Sequence, residues 1–402
     1  MKTKYAIVGT GGRCGGMFIM PLATEFGASA RMVAFCDPSR IRMKYWIDEL
    51  ARLHDFHEPI ALYLPEEFDG LLSREKPDVV IVCSTDATHA EYIVRSLKAG
   101  CDVIVEKPLA IRCDQLAAIG KAVEETGRNV HVAFNYRWAP AATKTWELLN
   151  SGAIGAVKHV HFEYLLDTRH GADYFRRWHA RMEHSGGLLV HKATHHFDLV
   201  NWWIDSIPET VSAHANLMFY GKANALARGD GHLTRYERYL DPASKGDPFR
   251  LDLLGSGSDG LYHEAEKDSG YIRDRNVFRD DIDIYDTMSV IARYRNGTLL
   301  TYSLVAYSPH EGFRACFTGD RGRLELTEAH GSHLIMGQSD QALAEEQRKL
   351  PPRKRAFDLR LQRQFGPLER VEVSTAPGGH HGADPVLRTQ LFLPQAPPGH
   401  AR

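Results

Sequence analysis

The chain has 402 residues, more than one ordinary core accommodates, so two domains are expected. Its 43% hydrophobic and 25% charged residues exclude a disordered, collagen-like or low-complexity protein. A formal net charge of −2 offers no field to recruit nucleic acid or an anionic membrane, and no apolar stretch approaches the roughly 18 residues of a spanning helix.

Cys14, Cys36, Cys83, Cys101, Cys113 and Cys316 include no C-x-x-C pair and mostly lie in or beside apolar runs, so free thiols of a reducing compartment are expected. The strand-like run KYAIVG begins too early to leave room for a secretory leader, and a cytoplasmic location is expected. Over residues 1–135, Tyr5–Val8, Met32–Cys36, Val79–Cys83, Val103–Val105 and Val130–Phe134 read as buried strands. Between them, Cys14–Phe26, Arg40–Leu53, Ala87–Ala99 and Cys113–Thr126 carry helical spacing. Strands rich in Val and Ile without polar alternation predict a parallel, doubly wound α/β sheet covered on both faces.

Residues 136–390 change pattern. A helix over Pro140–Leu149 precedes an alternating run, Val157–Leu166, and a single longer helix is expected over Gly187–Ile204. Ser289–Arg295 and Thr298–Val305 flank Asn296-Gly297, a strong hairpin signal, and Phe313–Thr318 and Arg323–Leu326 extend the series. These predict an α+β domain with an open, largely antiparallel sheet. Residues 221–285, rich in Gly, Asp and Arg, read as an insertion or lid-like excursion. The Lys- and Arg-rich residues 348–363 read as a solvated linker, with a basic address as the alternative, and residues 391–402 as a tail.

Gly9-Thr10-Gly11-Gly12-Arg13-Cys14-Gly15 follows the first strand and opens the first helix, where glycines let backbone amides approach a pyrophosphate. Cys14 takes the place of the usual third glycine. Asp37 ends the second strand, where a carboxylate can accept both adenosine ribose hydroxyls and repel a 2′-phosphate; NAD is expected over NADP, although Arg40 could accept that phosphate. Glu106-Lys107-Pro108 follows the Val103–Val105 run, so Lys107 is aimed at the crevice beyond the strand ends.

With Thr85-Asp86-Ala87-Thr88-His89, Gly186-Gly187-Leu188-Leu189 followed by His195 and Asp198, and Gly322-Arg323-Leu324-Glu325, these segments resemble the glucose–fructose oxidoreductase/inositol dehydrogenase (Gfo/Idh/MocA) family over roughly residues 1–330. The resemblance implies a Rossmann domain, a second α/β domain whose open sheet mediates homo-oligomerisation, and redox chemistry on pyranosides or cyclitols. It implies that Thr85, His89, Glu106 and Lys107 border the cofactor. Members usually continue past the echo Gly378–Asp384 with another helix and strand. This chain turns Pro- and Gly-rich there, so apolar surface of the second domain is expected to be left uncovered.

Within Gly187–Ile204, helical geometry puts His191, His195, Asp198 and Trp202 opposite an apolar face. The two histidines have metal-ligand spacing, can be satisfied structural residues, or belong to a catalytic floor. The resemblance favours the last: His195 matches the family's proton-transfer histidine, while His191 stands where the family often has Asp. No metal is expected. Lys107 and His195, with His191, are the expected catalytic groups; Asn135, Arg137, Arg169, Tyr174, Arg177, Trp178, Lys192 and His196 are the expected substrate contacts. The leading activity is an NAD-dependent dehydrogenase acting on a small sugar or polyol. An NAD-dependent glycosidase working by transient oxidation and elimination, and a non-catalytic dinucleotide-responsive regulator, are the alternatives.

Overall fold

The computed structural model describes residues 2–254, 259–331, 356–374 and 382–393. The first domain is a six-stranded parallel sheet built from β1 (Thr3–Val8), β2 (Ala30–Cys36), β3 (Ala61–Tyr63), β4 (Val79–Val82), β5 (Asp102–Val105) and β6 (Val130–Val132), in the order β3-β2-β1-β4-β5-β6. Val80, Ile81, Val82 and Val103 are fully buried, as helices on both faces require. The order reverses between β1 and β4, so the loops after β1, β4 and β5 meet in one crevice. Of the expected strands all five are present; β3 and the helix Phe68–Glu75 are additions.

The second domain's sheet holds β7 (Val157–Asp167), β8 (Pro208–Asn216), β9 (Thr287–Tyr294), β10 (Leu299–Ser308), β11 (Glu311–Gly319), β12 (Gly322–Gly331), β13 (Ala356–Arg363) and β14 (Leu368–Val371). Their order is β14-β13-β12-β11-β7-β10-β9-β8, antiparallel except for the β7–β10 pair. In β9, Met288, Val290, Ala292 and Tyr294 point to the core and alternate with outward residues, the period of a sheet packed on one face. The hairpin at Asn296-Gly297 forms as expected, with Gly297 at φ 85°.

Two expectations are corrected. Part of the basic segment 348–363 is β13: Leu359 and Leu361 are buried while Arg360 and Arg363 face outward to pair with Asp358 and Glu369. Its charges fill the solvent side of a strand, a short alternation hidden by a basic run; residues 348–355 lie outside the described residues. The second concerns the start of the expected tail. A helix, Ala383–Phe392, crosses back to the first domain, and Phe392 packs its ring against Tyr5, Phe18 and Phe26 at centroid distances of 5.6, 6.2 and 5.2 Å. This helix runs past residue 390 into what reads as tail.

The excursion 221–285 is tied at its neck by buried Asp286, which accepts the amides of Met218, Phe219 and Tyr220 at 2.8–3.0 Å. No helix among the described residues is long and apolar enough to cross a membrane. Replacing buried Phe392 with Ala removes three ring contacts and is expected to cost about 3–5 kcal/mol, read as a fall in the urea unfolding midpoint; an unchanged midpoint would show that the terminal helix is not docked.

Candidate active site

The glycine loop is shaped by contact. Gly9 has φ +83°, and a Cβ there would lie 2.6 Å from the backbone of Cys83 and Ser84, so only glycine lets β1 turn past β4. Around Gly11 nothing lies within 4 Å of where a Cβ would sit. The close helix packing assigned to a third glycine falls on Gly15, whose Cβ would strike the Trp46 ring at 1.9 Å. Cys14 instead is buried, 1% exposed, under the loop. Arg13 is held by Glu106 at 2.7 Å and Asp384 at 2.9 Å, and Asp384 also accepts from Asn135 at 2.7 Å.

Asp37 lines the same cavity but already accepts four protein donors: Thr10 N and Oγ1 at 2.8 and 3.0 Å, Ser39 N at 2.9 Å and Arg42 Nη1 at 2.8 Å. The guanidinium beside it is therefore Arg42. Arg40, two residues earlier and on another side of the same helix, lies outside the cavity and pairs with exposed Glu67. The excursion reaches this end as well: Tyr262 Oη accepts Gly12 N–H at 3.1 Å, Leu261 O accepts Arg42, and Asp268 accepts the Ile41 amide. The cavity, about 1270 Å³, runs from this loop to the second domain. It exceeds the roughly 300–1,000 Å³ of a single small-ligand pocket, and the open Gly11 face at its wall suits a dinucleotide pyrophosphate.

At the other end stands a buried chain of polar groups. Lys107 Nζ donates to His191 O at 3.0 Å and meets His191 Nε2 at 3.2 Å, while His191 Nδ1 meets Asp86 Oδ2 at 2.6 Å. Since the ammonium only donates, this network assigns the imidazole proton to Nδ1, directed at Asp86. Burial, then the Lys107 charge, pushes His191 well below its ordinary value, so it is neutral. Burial lowers Lys107 to about 8 even though Asp86 and Glu106 oppose the shift. Burial likewise raises Asp86, against the pull of Lys107. His89 is buried between the carbonyls of Pro108 (2.8 Å) and Ser84 (3.1 Å) and, with Thr85, borders the cavity.

The expected single helix over Gly187–Ile204 is two: Leu188–His191 and Thr194–Trp203, with the break at Lys192–Ala193. The break turns His191, Lys192 and His195 into the cavity together. Lys192 Nζ donates to Tyr136 Oη at 3.1 Å and lies 4.9 Å from the Tyr164 ring centre. Burial opposes its charge, but Tyr136, Tyr174 and Glu311 more than offset this and hold it above the ordinary lysine value. His195 stacks on Tyr136, centroids 4.2 Å apart and planes 10° from parallel.

The polar stripe drawn on one uninterrupted helix does not survive this break. Asp198 is engaged by Arg137 at 2.7 and 2.5 Å, and Trp202 stacks on Trp146. Three expected substrate contacts lie outside the cavity. Arg137 serves Asp198; Arg169 is exposed; His196 is a core residue, 0% exposed and bonded to Tyr302 Oη at 2.8 Å. Asn135, Tyr174, Arg177 and Trp178 do line it.

Asp86, His170, Tyr262, Glu311, His330 and Asp384 also line the cavity without having been singled out for roles. Glu311 joins His170 Nδ1 at 2.9 Å and His330 Nδ1 at 3.2 Å, and these donors hold its carboxyl well below the usual range against the effect of burial. Among the described residues no group of three or more His, Cys, Asp or Glu is arranged to hold a metal ion.

A doubly wound parallel sheet whose crevice opens onto an α/β domain with buried titratable groups is the architecture to which the comparisons give a family. The family model "Oxidoreductase family, NAD-binding Rossmann fold" matches residues 3–134, and "Oxidoreductase family, C-terminal alpha/beta domain" matches residues 146–366. The chain belongs to the Gfo/Idh/MocA oxidoreductase family. A Bacillus subtilis protein named "Putative oxidoreductase YteT" is similar at 34% identity over 404 residues, 97% of this chain and 88% of that protein. The scyllo-inositol 2-dehydrogenase (NAD(+)) of the same organism is 25% identical over 218 residues, 54% of this chain and 58% of its own. In fold, the chain resembles the aldose-aldose oxidoreductase from Caulobacter crescentus, solved with glycerol, at a TM-score of 0.60 and 17% identity over 98% of this chain and 90% of that one.

The depressed Lys107 value has a consequence for stability. An unfolded chain keeps a lysine near 10.5 and so binds more protons than the folded one between about 8 and that value. Lys107 therefore makes stability rise with pH across this window and leaves it flat below. In Lys107→Met that increment is absent, so urea midpoints of parent and variant are expected to change relative to one another as pH is raised through the window. Parallel curves would mean that Lys107 titrates as an ordinary lysine.

Proposed function

We propose that this enzyme moves a hydride between nicotinamide and a hydroxyl-bearing carbon of a sugar, glycoside or cyclitol. The observation carrying this reading is that Lys107 and His195, from different domains, line one cavity continuous with the Gly11–Gly12 loop. Bound NAD supplies the hydride acceptor. Lys107, fixed by His191, donates to the substrate oxygen and stabilises its alkoxide character. His195, held flat by Tyr136, takes the hydroxyl proton as the carbon is oxidised. His191 is a positioning residue: its neutral Nε2 fixes the ammonium, and Asp86 fixes its tautomer. The Asp37 carboxylate at the end of β2 supports NAD over NADP, while Arg42, paired with it at 2.8 Å, is the guanidinium that a 2′-phosphate would meet.

Relatives named for inositol and aldose chemistry support the substrate class. The free cysteines fit a cytoplasmic setting, and exposed Ile291 and Leu299 on the open face of the second sheet fit homo-oligomerisation there.

Lys107→Met is expected to lower turnover on a sugar or polyol panel by about a thousandfold or more, the scale of losing a positioned oxyanion donor and acid, with NAD affinity unchanged. Full turnover in this variant would defeat the assignment. Glycoside cleavage by the parent without net NADH would instead assign oxidation followed by return of the hydride. His191→Asn is expected to lower kcat more than it raises KM, because it disturbs the lysine rather than a substrate contact; a pure KM effect would make His191 a substrate ligand.

A further inference from the structure

Away from the Lys107–His191 pair, the helix Thr168–Arg176 and the excursion gather three guanidiniums on one carboxylate. Asp173 accepts from Arg176 at 3.2 Å, Arg177 at 3.1 Å and Arg273 at 2.7 Å. Guanidinium is not deprotonated in proteins, so the group holds a surplus of positive charge. The surplus is sheltered from water: the side chains of Arg176, Arg273 and Arg177 are 6, 14 and 26% exposed. Asp173 and Arg177 line the main cavity together with Lys107 and Lys192, two further cations.

Hydrogen bonding inside the protein does not use up these donors. Arg177 Nε and Arg273 Nη1 are buried with no partner, and an N–H that has left water without finding an acceptor is costly. Surplus charge, with an unpartnered donor on Arg177 at the cavity wall and another on Arg273 behind it, is the complement of an anion. A neutral hydroxyl would satisfy a donor but leave the charge uncompensated.

We propose that Arg177, backed by Arg273, forms an anion-binding subsite that takes the carboxylate of an acidic sugar, so that the substrate is a uronic acid or uronide rather than a neutral polyol. This rests on the hydride-transfer reading of the same cavity. The Arg273 guanidinium also lies 5.6 Å from the ring centre of Tyr262, whose hydroxyl meets the glycine loop. A cofactor phosphate shares the chemistry of a carboxylate, and the experiment separates the two.

The NAD-loaded full chain is titrated calorimetrically with glucuronate and galacturonate and with glucose and galactose, as parent, Arg177→Met and Arg177→Lys. NAD affinity is measured separately on each by fluorescence. The parent is expected to bind at least one hexuronate about tenfold or more tighter than its neutral counterpart, the scale of a charge-assisted hydrogen bond. Arg177→Met erases that preference and leaves NAD affinity intact. Arg177→Lys keeps the charge but not the fork and retains only part; it decides the matter if the Met variant fails to fold.

Equal affinity of the parent for acidic and neutral sugars overturns the subsite, as does a loss of NAD affinity in Arg177→Met with the sugar preference retained. NADH formed on neutral polyols without uronate binding overturns the subsite and spares the hydride-transfer reading. Uronate binding without NADH formation from any sugar does the reverse.

Discussion

The site depends on one buried contact between the domains: the Lys107 ammonium against His191. Lys107 and Asp86 come from loops beyond β5 and β4, and His191 from the broken helix of the second domain. An ammonium taken out of water costs several kcal/mol unless polar groups replace the lost hydration. His191 does so twice, with its ring nitrogen and its carbonyl oxygen, and Asp86 supplies opposite charge behind the ring. Compensation is incomplete, because burial still wins in Lys107, and a lysine left near 8 can give or take a proton near neutral pH. The cost of burial and the lowered value are the same property.

The rest of the structure serves to keep that contact closed. The terminal helix brings Asp384 onto Arg13 and Asn135, and Arg13 in turn holds Glu106, the residue before Lys107. The excursion places Tyr262 and Asp268 on the glycine loop and its neighbouring helix. Glu311 and its histidines close the far wall beside Lys192. The two ends of the cavity are therefore fixed by segments distant in the chain, and the second domain contributes to the walls around the glycine loop as well as to the opposite end.

Much of the first domain was legible because a parallel sheet buried on both faces writes itself as runs such as Val79–Val82, and its loops carry recognisable glycines and Glu106-Lys107-Pro108. The three-residue β3 was not, since a strand that short has no measurable period. Gly187–Ile204 read as one helix because apolar spacing continues through the break at Lys192; only the fold reveals that Lys192 leaves the helical path to face the cavity. His196 and Arg137 had the right chemistry for a site, but tertiary partners Tyr302 and Asp198 claimed them. Asp384 and Tyr262 lie hundreds of residues from the loop they secure, and no local pattern encodes such a pairing. Asp86 was visible within Thr85–His89, yet its role depends on a histidine from the other domain.

The most direct test of the account is the titration of Lys107 itself, followed through the 13C-labelled ε-carbon of lysine by NMR in the parent and in Asp86→Asn, with Lys107→Met to assign the signal. The account gives a midpoint at about 8 in the parent and a lower one in Asp86→Asn, because removing the opposite charge leaves burial less opposed. A midpoint at the ordinary lysine value, or one indifferent to Asp86, would contradict it.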